Sequence, residues 1–309
     1  MTAVHYRPMG VDLRVDGAVP ELKAAIEAGM ARYPSHLGVG GRLDVRFTVH
    51  DDEPVDPAWP RVTATDGDDE LHVRCGSAEC TLVYGTGEVR LAVPTSLLQV
   101  PDALRLMVES VFTAAGVRAG RLFAVHSALV QHRGTGLLLR GASGAGKSTL
   151  TYACLRMGMG VCSDDWLYAP AAAPVGTFAG YPWRMMMTED AASRFTELAG
   201  AATVPHPAAE GRKVPVHPPA DQQVVAAVAD AVVVLDPSPT LQVRRIDLDE
   251  AVERFWAPAL PTERDTLPAG WVRQLLDRPT FVLQRGTDPA ATAAALAELA
   301  ESLAATSRG

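Results

Sequence analysis

Residues 141–148 read Gly141-Ala142-Ser143-Gly144-Ala145-Gly146-Lys147-Ser148 and run on into Thr149 and Leu150. Glycine at the first and sixth places, lysine at the seventh and serine at the eighth match the pattern G-x-x-x-x-G-K-[ST] in full. Glycines let the backbone turn its N–H groups inward around an anion, and a helix opening after the loop presents its positive end to the same anion. The flanks fit that use. Gly136-Leu137-Leu138-Leu139-Arg140 is an apolar run that predicts a buried strand. Leu150, Ala153, Cys154 and Met157 recur at helical spacing and predict a helix with those residues facing inward. An ordinary glycine-rich turn has no reason to carry all four fixed positions between a strand and a helix. The stretch predicts a nucleoside triphosphate site, with Gly141, Ser143, Gly144, Ala145, Gly146, Lys147, Ser148 and Thr149 around the phosphates. Lys147 would lie along the β- and γ-phosphates, and the Ser148 hydroxyl would bind Mg²⁺.

The next apolar run, Met159-Gly160-Val161-Cys162, ends in Ser163-Asp164-Asp165-Trp166. Two carboxylates thus leave a strand one short helix beyond Lys147. A strand lying beside the loop's own strand would deliver both to the phosphate end of the site. One carboxylate can hold Mg²⁺, directly or through water. A second can accept the proton of an attacking hydroxyl, which phosphoryl transfer needs and a nucleotide switch does not. A solvated turn after a strand is the plainer reading, and the loop just upstream weighs against it.

At 309 residues the chain can bury a large core, and its 48% hydrophobic and 21% charged residues are those of a soluble globule. The net charge of −8 comes with no dense Lys/Arg run, which argues against a nucleic-acid partner. No stretch approaches the uninterrupted apolar length of a membrane span, and the N-terminal residues lack the apolar core of a signal peptide. Cys75, Cys80, Cys154 and Cys162 fit neither a C-x-x-C pair nor a zinc spacing and are expected as buried fillers in a reducing cytoplasm.

Two domains are expected, 1–118 and 119–309, the first a small α+β unit assigned to acceptor recognition. Leu22, Ala25, Ile26 and Met30 predict a helix after Pro20, and Leu104, Met107, Val108, Val111 and Phe112 predict another from Asp102 to Ala115. Strands are predicted at Leu43–Val49, Leu71–Cys75, Thr81–Tyr84 and Glu88–Val93, with Asp51–Asp69 as exposed connections. In the second domain, strands are predicted at Phe123–Gln131, Gly136–Arg140, Gly160–Ser163, Ala231–Leu235 and Phe281–Gln284. The last helix opens at Asp288-Pro289 and buries Ala295, Leu296, Leu299 and Leu303, and Val204–Pro219 is read as a long loop. Met185-Met186-Met187 is read as packing, with an adaptable apolar pocket for the acceptor as the alternative. Alternating strands and helices give an α/β class with the ligand at the strand ends.

The order His126-Ser127-Ala128-Leu129, then GLLLRGASGAGKSTL from Gly136, then Cys162-Ser163-Asp164-Asp165-Trp166 resembles the catalytic domain of HPr kinase/phosphorylase and its HPr-kinase-related relatives. A more distant likeness is to the nucleotide core of ATP-dependent phosphoenolpyruvate carboxykinase. The likeness covers residues 120–290 and is strongest over 126–166. It implies an HPr-kinase-like P-loop catalytic domain, with ATP (or GTP) and Mg²⁺ as cofactors and self-association through that domain. It also implies transfer of the γ-phosphoryl to a serine-like hydroxyl of a peptide, protein or small-molecule acceptor. By position, Asp164 would be the general base, and Asp165 with Ser148 would hold Mg²⁺; the sequence leaves the order within the acidic pair open. His126 would orient the γ-phosphate or the acids. Arg184, in Gly180-Tyr181-Pro182-Trp183-Arg184, and Lys213, in Gly211-Arg212-Lys213-Val214, would supply further cations for the moving phosphoryl. The Arg-Gly-Leu-Gly-type signature that bifunctional members use for the reverse reaction is missing, so the resemblance extends neither to phosphorylase activity nor to HPr as substrate. Relatives without it include kinases that phosphorylate a serine of a precursor peptide. Two other readings compete. One is a nucleotide-dependent regulatory or binding module without phosphotransfer, and the other is a carboxykinase-like decarboxylase, which needs further metal and substrate ligands.

Overall fold

The computed structural model describes residues 3–51, 62–205 and 212–306. The fold is mixed α/β with several sheets, and the chain separates into two compact units. One is Met1–Leu122 with Pro170–Ala172 and Ala202–Lys213; the other is Phe123–Ala169 with Ala173–Ala201 and Val214–Gly309.

The first unit is built on a seven-stranded sheet of β1 (Val4–Tyr6), β2 (Asp12–Asp16), β3 (Arg42–His50), β4 (Val62–Asp66), β5 (Glu70–Cys75), β6 (Ala78–Val83) and β7 (Glu88–Pro94). Their order is β1-β2-β3-β7-β6-β5-β4. Helix α1 (Pro20–Ala28) opens on a proline that has no N–H to lose, and α2 spans Pro101–Arg118. All five residues expected to face inward from α2 are buried, and α2 packs on β5 and β6. Leu71, Val73 and Cys75 alternate with exposed His72 and Arg74, the pattern of a sheet with one covered face. One expectation fails here. Part of the predicted connection 51–69 is strand β4, paired antiparallel with β5 from Val62 opposite Cys75 to Asp66 opposite Leu71. Its residues past the first, Thr63 to Asp66, are exposed, so no buried alternation betrays it in the sequence. Residues 52–61 lie outside the described part. This unit also holds β15 (Val204–Pro205), opposite which Lys213 lies in register with Val204.

In the second unit, β8 (Leu122–His126), β9 (Ala128–His132), β10 (Thr135–Arg140), α3 (Lys147–Arg156), β11 (Gly160–Ser163), β12 (Trp166–Pro170) and β13 (Thr177–Gly180) lead into β14 (Met185–Met187) and α4 (Glu189–Ser193). Then come β16 (Arg212–Val216, in this unit from Val214), β17 (Ala226–Val228), β18 (Ala231–Asp236), β19 (Leu241–Arg245), α5 (Leu248–Trp256), α6 (Pro261–Thr266), α7 (Ala269–Leu276), β20 (Thr280–Arg285) and α8 (Pro289–Thr306). A six-stranded sheet runs β11-β9-β10-β18-β20-β19, and a four-stranded sheet runs β17-β13-β12-β8. Within the larger sheet β10, β18 and β20 are parallel; β9, β11 and β19 are antiparallel to their neighbours. Both faces of that sheet are covered. Leu137, Leu139, Val233 and Leu235 pack with α3 and α8, while Leu138, Val232 and Val282 pack with Phe178, Phe255, Trp271 and Leu275. Double coverage is why these strands read as unbroken apolar runs.

Four expectations are corrected. The predicted strand Phe123–Gln131 is two strands in two different sheets, parted at Ser127. Met157 is 45% exposed, because α3 stops at Arg156 and the chain turns away through Gly158 at φ +81°. The stretch expected as a loop from Val204 to Pro219 contains β15 and β16, with Met185, Met186 and Met187 paired to Val216, Pro215 and Val214. On α8, Ala295 is only half-buried; Thr292, Ala293 and Ala300 share the inward face with Leu296, and Leu299 and Leu303 pack at its margin. Met185 and Met187 are core residues, as expected. All four cysteines are free and buried, and burial pushes the Cys75, Cys80 and Cys154 thiols up to about 12.

Candidate functional site

The apolar strand β10 delivers the chain to the loop, and α3 begins at Lys147. Gly144 and Gly146 hold φ of +80° and +95°, a left-handed backbone that glycine adopts without strain. At Gly141 an added Cβ would stand 3.0 Å from the Ala145 Cβ and 3.3 Å from the Leu235 Cβ, so the loop is drawn tight against the neighbouring strand. Ser148 and Thr149 are half-buried in the first turn of α3, while Ser143 and Gly144 are exposed. Lys147 is 6% exposed and folds back over its own loop, its Nζ donating to the carbonyls of Gly141 at 2.8 Å and Ala142 at 3.2 Å. Burial pushes its ammonium down to about 8. The Asp165 carboxylate is the strongest influence in the opposite direction, with Glu263 and Asp164 adding to it and Arg140 working against it.

The acids arrive by a route other than the expected one. Strand β11 does not adjoin β10; β9 lies between them, and β11 pairs with β9 through a bulge between Val161 and Ser163. The chain then turns at Asp164 and Asp165, and both carboxylates still act electrostatically on Lys147. Asp164 is buried, whereas the Asp165 side chain is 57% exposed. Nε2 of His126 stands 2.9 Å from Oδ1 of Asp165, and the His126 ring lies 5.3 Å from that of Trp166. Strand β13 closes on the same turn. A Cβ on Gly180 would fall 2.3 Å from the Cys162 carbonyl oxygen and 2.9 Å from the Ser163 Cβ. Only glycine permits that approach, and the half-buried Arg184 follows four residues later. Lys213 belongs to the first unit.

The sequence reading missed Arg140 and Glu263. Both are fully buried and joined through two nitrogens, Nη1 to Oε1 at 2.6 Å and Nη2 to Oε2 at 3.3 Å. Arg140 Nη1 also donates to the His126 carbonyl at 2.9 Å, Nε to the Phe255 carbonyl at 3.1 Å, and the guanidinium lies 4.4 Å from the Phe255 ring centre. Glu263 accepts from the backbone N–H of His126 at 3.0 Å and of Leu260 at 2.9 Å. At the corner where the chain leaves β8 for β9, the His126 backbone therefore bonds to this ion pair. The one signal in the sequence was a charge ending the run Leu137-Leu138-Leu139; nothing marked Glu263 as its partner. Asp236 was missed as well. It closes β18, the parallel neighbour of β10, and so stands at the same sheet edge as the loop.

Among the described residues no cluster of three or more His, Cys, Asp or Glu could hold a metal alone, and no helix is long and apolar enough to cross a membrane. No family model and no curated protein matches the chain. Among solved structures, the HPr(Ser) kinase/phosphatase from Coxiella burnetii aligns with 60% of this chain and 90% of its own, at 14% identity and a TM-score of 0.27. Overlap at that level carries no weight for fold or activity, and the chemistry of this chain rests on its own side chains.

Proposed function

We propose that this protein is a Mg²⁺- and ATP-dependent kinase of the HPr-kinase-like P-loop type. It passes the γ-phosphoryl to a serine-like hydroxyl of a peptide, protein or small metabolite. The observation that carries the reading is a lysine in a complete phosphate-loop motif whose charge is sustained chiefly by Asp165, itself held by His126. A loop alone serves any nucleotide binder; a paired acid and a buried acid beside it serve transfer.

The oxygen donors present suit Mg²⁺, a hard cation that completes its shell with phosphate oxygens and water. Ser148 and Asp165 would hold it, and when bound it would neutralise charge building on the phosphate chain. Asp164 takes the proton of the acceptor hydroxyl as its oxygen bonds to the γ-phosphorus. The bond from that phosphorus to the β–γ bridging oxygen breaks, and ADP leaves. Lys147 balances negative charge along the triphosphate, and His126 keeps Asp165 aimed. Arg184 is assigned as a further cation about the transferred group, and the first unit as the acceptor-recognition surface.

The test uses γ-labelled ATP, Mg²⁺ and candidate acceptors with wild type and Asp164→Asn. Transfer by wild type and its loss in the variant support the assignment, whereas undiminished transfer in the variant removes Asp164 as the base. Slow hydrolysis without any labelled acceptor, together with a partner whose affinity follows the γ-phosphate, would favour a nucleotide switch.

A further inference from the structure

Because β20 is parallel to β18, and β18 to β10, the C-terminal end of β20 opens on the sheet edge that carries the phosphate loop. Its last residue is Arg285. A Cβ built on Gly146 would lie 3.3 Å from Nε, 3.4 Å from Cζ and 3.5 Å from Cδ of Arg285. A point reached along the Nε–H bond would be much farther from the two carbons than from the nitrogen. Near-equal distances put it above the plane, so the guanidinium lies face-on against the loop at Gly146, the residue that caps α3 before Lys147.

The Arg285 Nε is shut off from solvent and has no hydrogen-bond partner among the described residues. Among the described residues no carboxylate or carbonyl oxygen pairs with any part of this guanidinium. The large majority of buried polar side-chain atoms in native proteins are hydrogen-bonded, and one that is not calls for an explanation, of which a ligand is one. Lys147 offers a contrast, since two loop carbonyls already engage its ammonium. An unengaged planar fork of N–H donors laid on an anion-binding loop is suited to phosphate or ribose oxygens.

We infer that Arg285 is a second cationic contact for the bound nucleotide, reaching it from the β20 side while Lys147 reaches it from the loop. The inference rests on the nucleotide-binding reading above. The shared chemistry is an oxygen-rich, anionic ligand, met either on its phosphate chain or at its nucleoside end.

The test is calorimetric titration of MgATP and of magnesium tripolyphosphate into wild type, Arg285→Gln and Lys147→Ala, with a melt of each protein before titration. Arg285→Gln should bind MgATP roughly ten- to a hundred-fold more weakly while its unliganded melting temperature does not fall, since no polar partner among the described residues is lost. Equal weakening with tripolyphosphate assigns the contact to the phosphate chain, and weakening confined to MgATP assigns it to the nucleoside end. Wild-type affinity in Arg285→Gln, alongside a defective Lys147→Ala, overturns this inference and leaves the kinase reading standing. A wild type that binds no nucleotide overturns both. Should Arg285→Gln fail to fold, Arg285→Lys, which keeps the charge without the fork, must show an intermediate loss of affinity or the contact is refuted.

Discussion

Nε2 of His126 and Oδ1 of Asp165 meet at 2.9 Å although His126 ends a strand of the four-stranded sheet and Asp165 follows a strand of the six-stranded one. The ring comes to that position because the His126 backbone is fixed on both sides, its N–H by Glu263 and its carbonyl by Arg140. A donor held this way restricts the rotation of an otherwise half-exposed carboxylate. His126→Ala should therefore lower the rate of phosphoryl transfer by about ten- to a hundred-fold, the usual effect of losing an orienting partner, with little change in nucleotide affinity. Steady-state kinetics beside equilibrium titration separate the two. An equal loss in both would mean that His126 only maintains the fold.

Lys147 gives the site a pH dependence with opposite signs in two measurements. Its ammonium is held at about 8, below the 10.5 of an unburied lysine. As pH rises through about 8 the charge that meets the triphosphate is lost, so the nucleotide Kd should climb above that pH, approaching ten-fold per unit. Stability moves the other way. The unfolded chain keeps the proton up to the ordinary value, so between about 8 and 10.5 the burial penalty of the charged form is relieved and the unliganded protein gains stability. Lys147→Met should abolish both slopes. Asp165→Asn should shift the break in affinity to lower pH, because Asp165 is the largest influence keeping the ammonium charged.

The loop and the acidic pair were legible because each is a local word, a motif or polar residues ending an apolar run, whereas His126 was singled out only through the family resemblance. Strands β10, β11, β18 and β20 were legible because burial on both faces writes itself as continuous hydrophobicity. What escaped was whatever depends on partners remote in sequence. No local pattern tells β9 to insert between β10 and β11, and none tells the run from Phe123 to Gln131 to break at Ser127. That break depends on Glu263, 137 positions away from His126. Strand β4 escaped for a different reason, since at an exposed edge its short polar run carries no buried alternation.

The Arg140–Glu263 pair yields a stability prediction. Both side chains are fully buried, so removing one partner strands the other charge. Glu263→Gln should cost about 3–5 kcal/mol and Arg140→Met a similar amount. The double variant Arg140→Met/Glu263→Gln should cost less than their sum, because no unpaired charge remains. Denaturant titration of the three variants gives the coupling directly. An additive double variant would show that the two side chains act independently. Transfer activity should stay low even in the double variant, since the His126 carbonyl has then lost its buried donor.

Two glycines separate what the fold requires from what the ligand requires. At Gly180 an added methyl would collide with a backbone oxygen of Cys162, which cannot yield without moving the strand that ends at the acids. Gly180→Ala should then destabilise by about 1–3 kcal/mol as an overpacked site, lowering the melting temperature by roughly 2–12 °C and reducing transfer as Asp164 and Asp165 shift. At Gly144 nothing lies within 4 Å of the added methyl, and only the φ of +80° resists it. Gly144→Ala should therefore cost only about 1–2 kcal/mol, and that strain is borne by a loop whose N–H groups must point at the phosphates. Its melting temperature should stay closer to wild type than that of Gly180→Ala, while its nucleotide affinity falls further. The reverse ranking, with Gly144→Ala the less stable protein and Gly180→Ala the weaker binder, would mean that the loop serves the fold and the β13 turn serves the ligand.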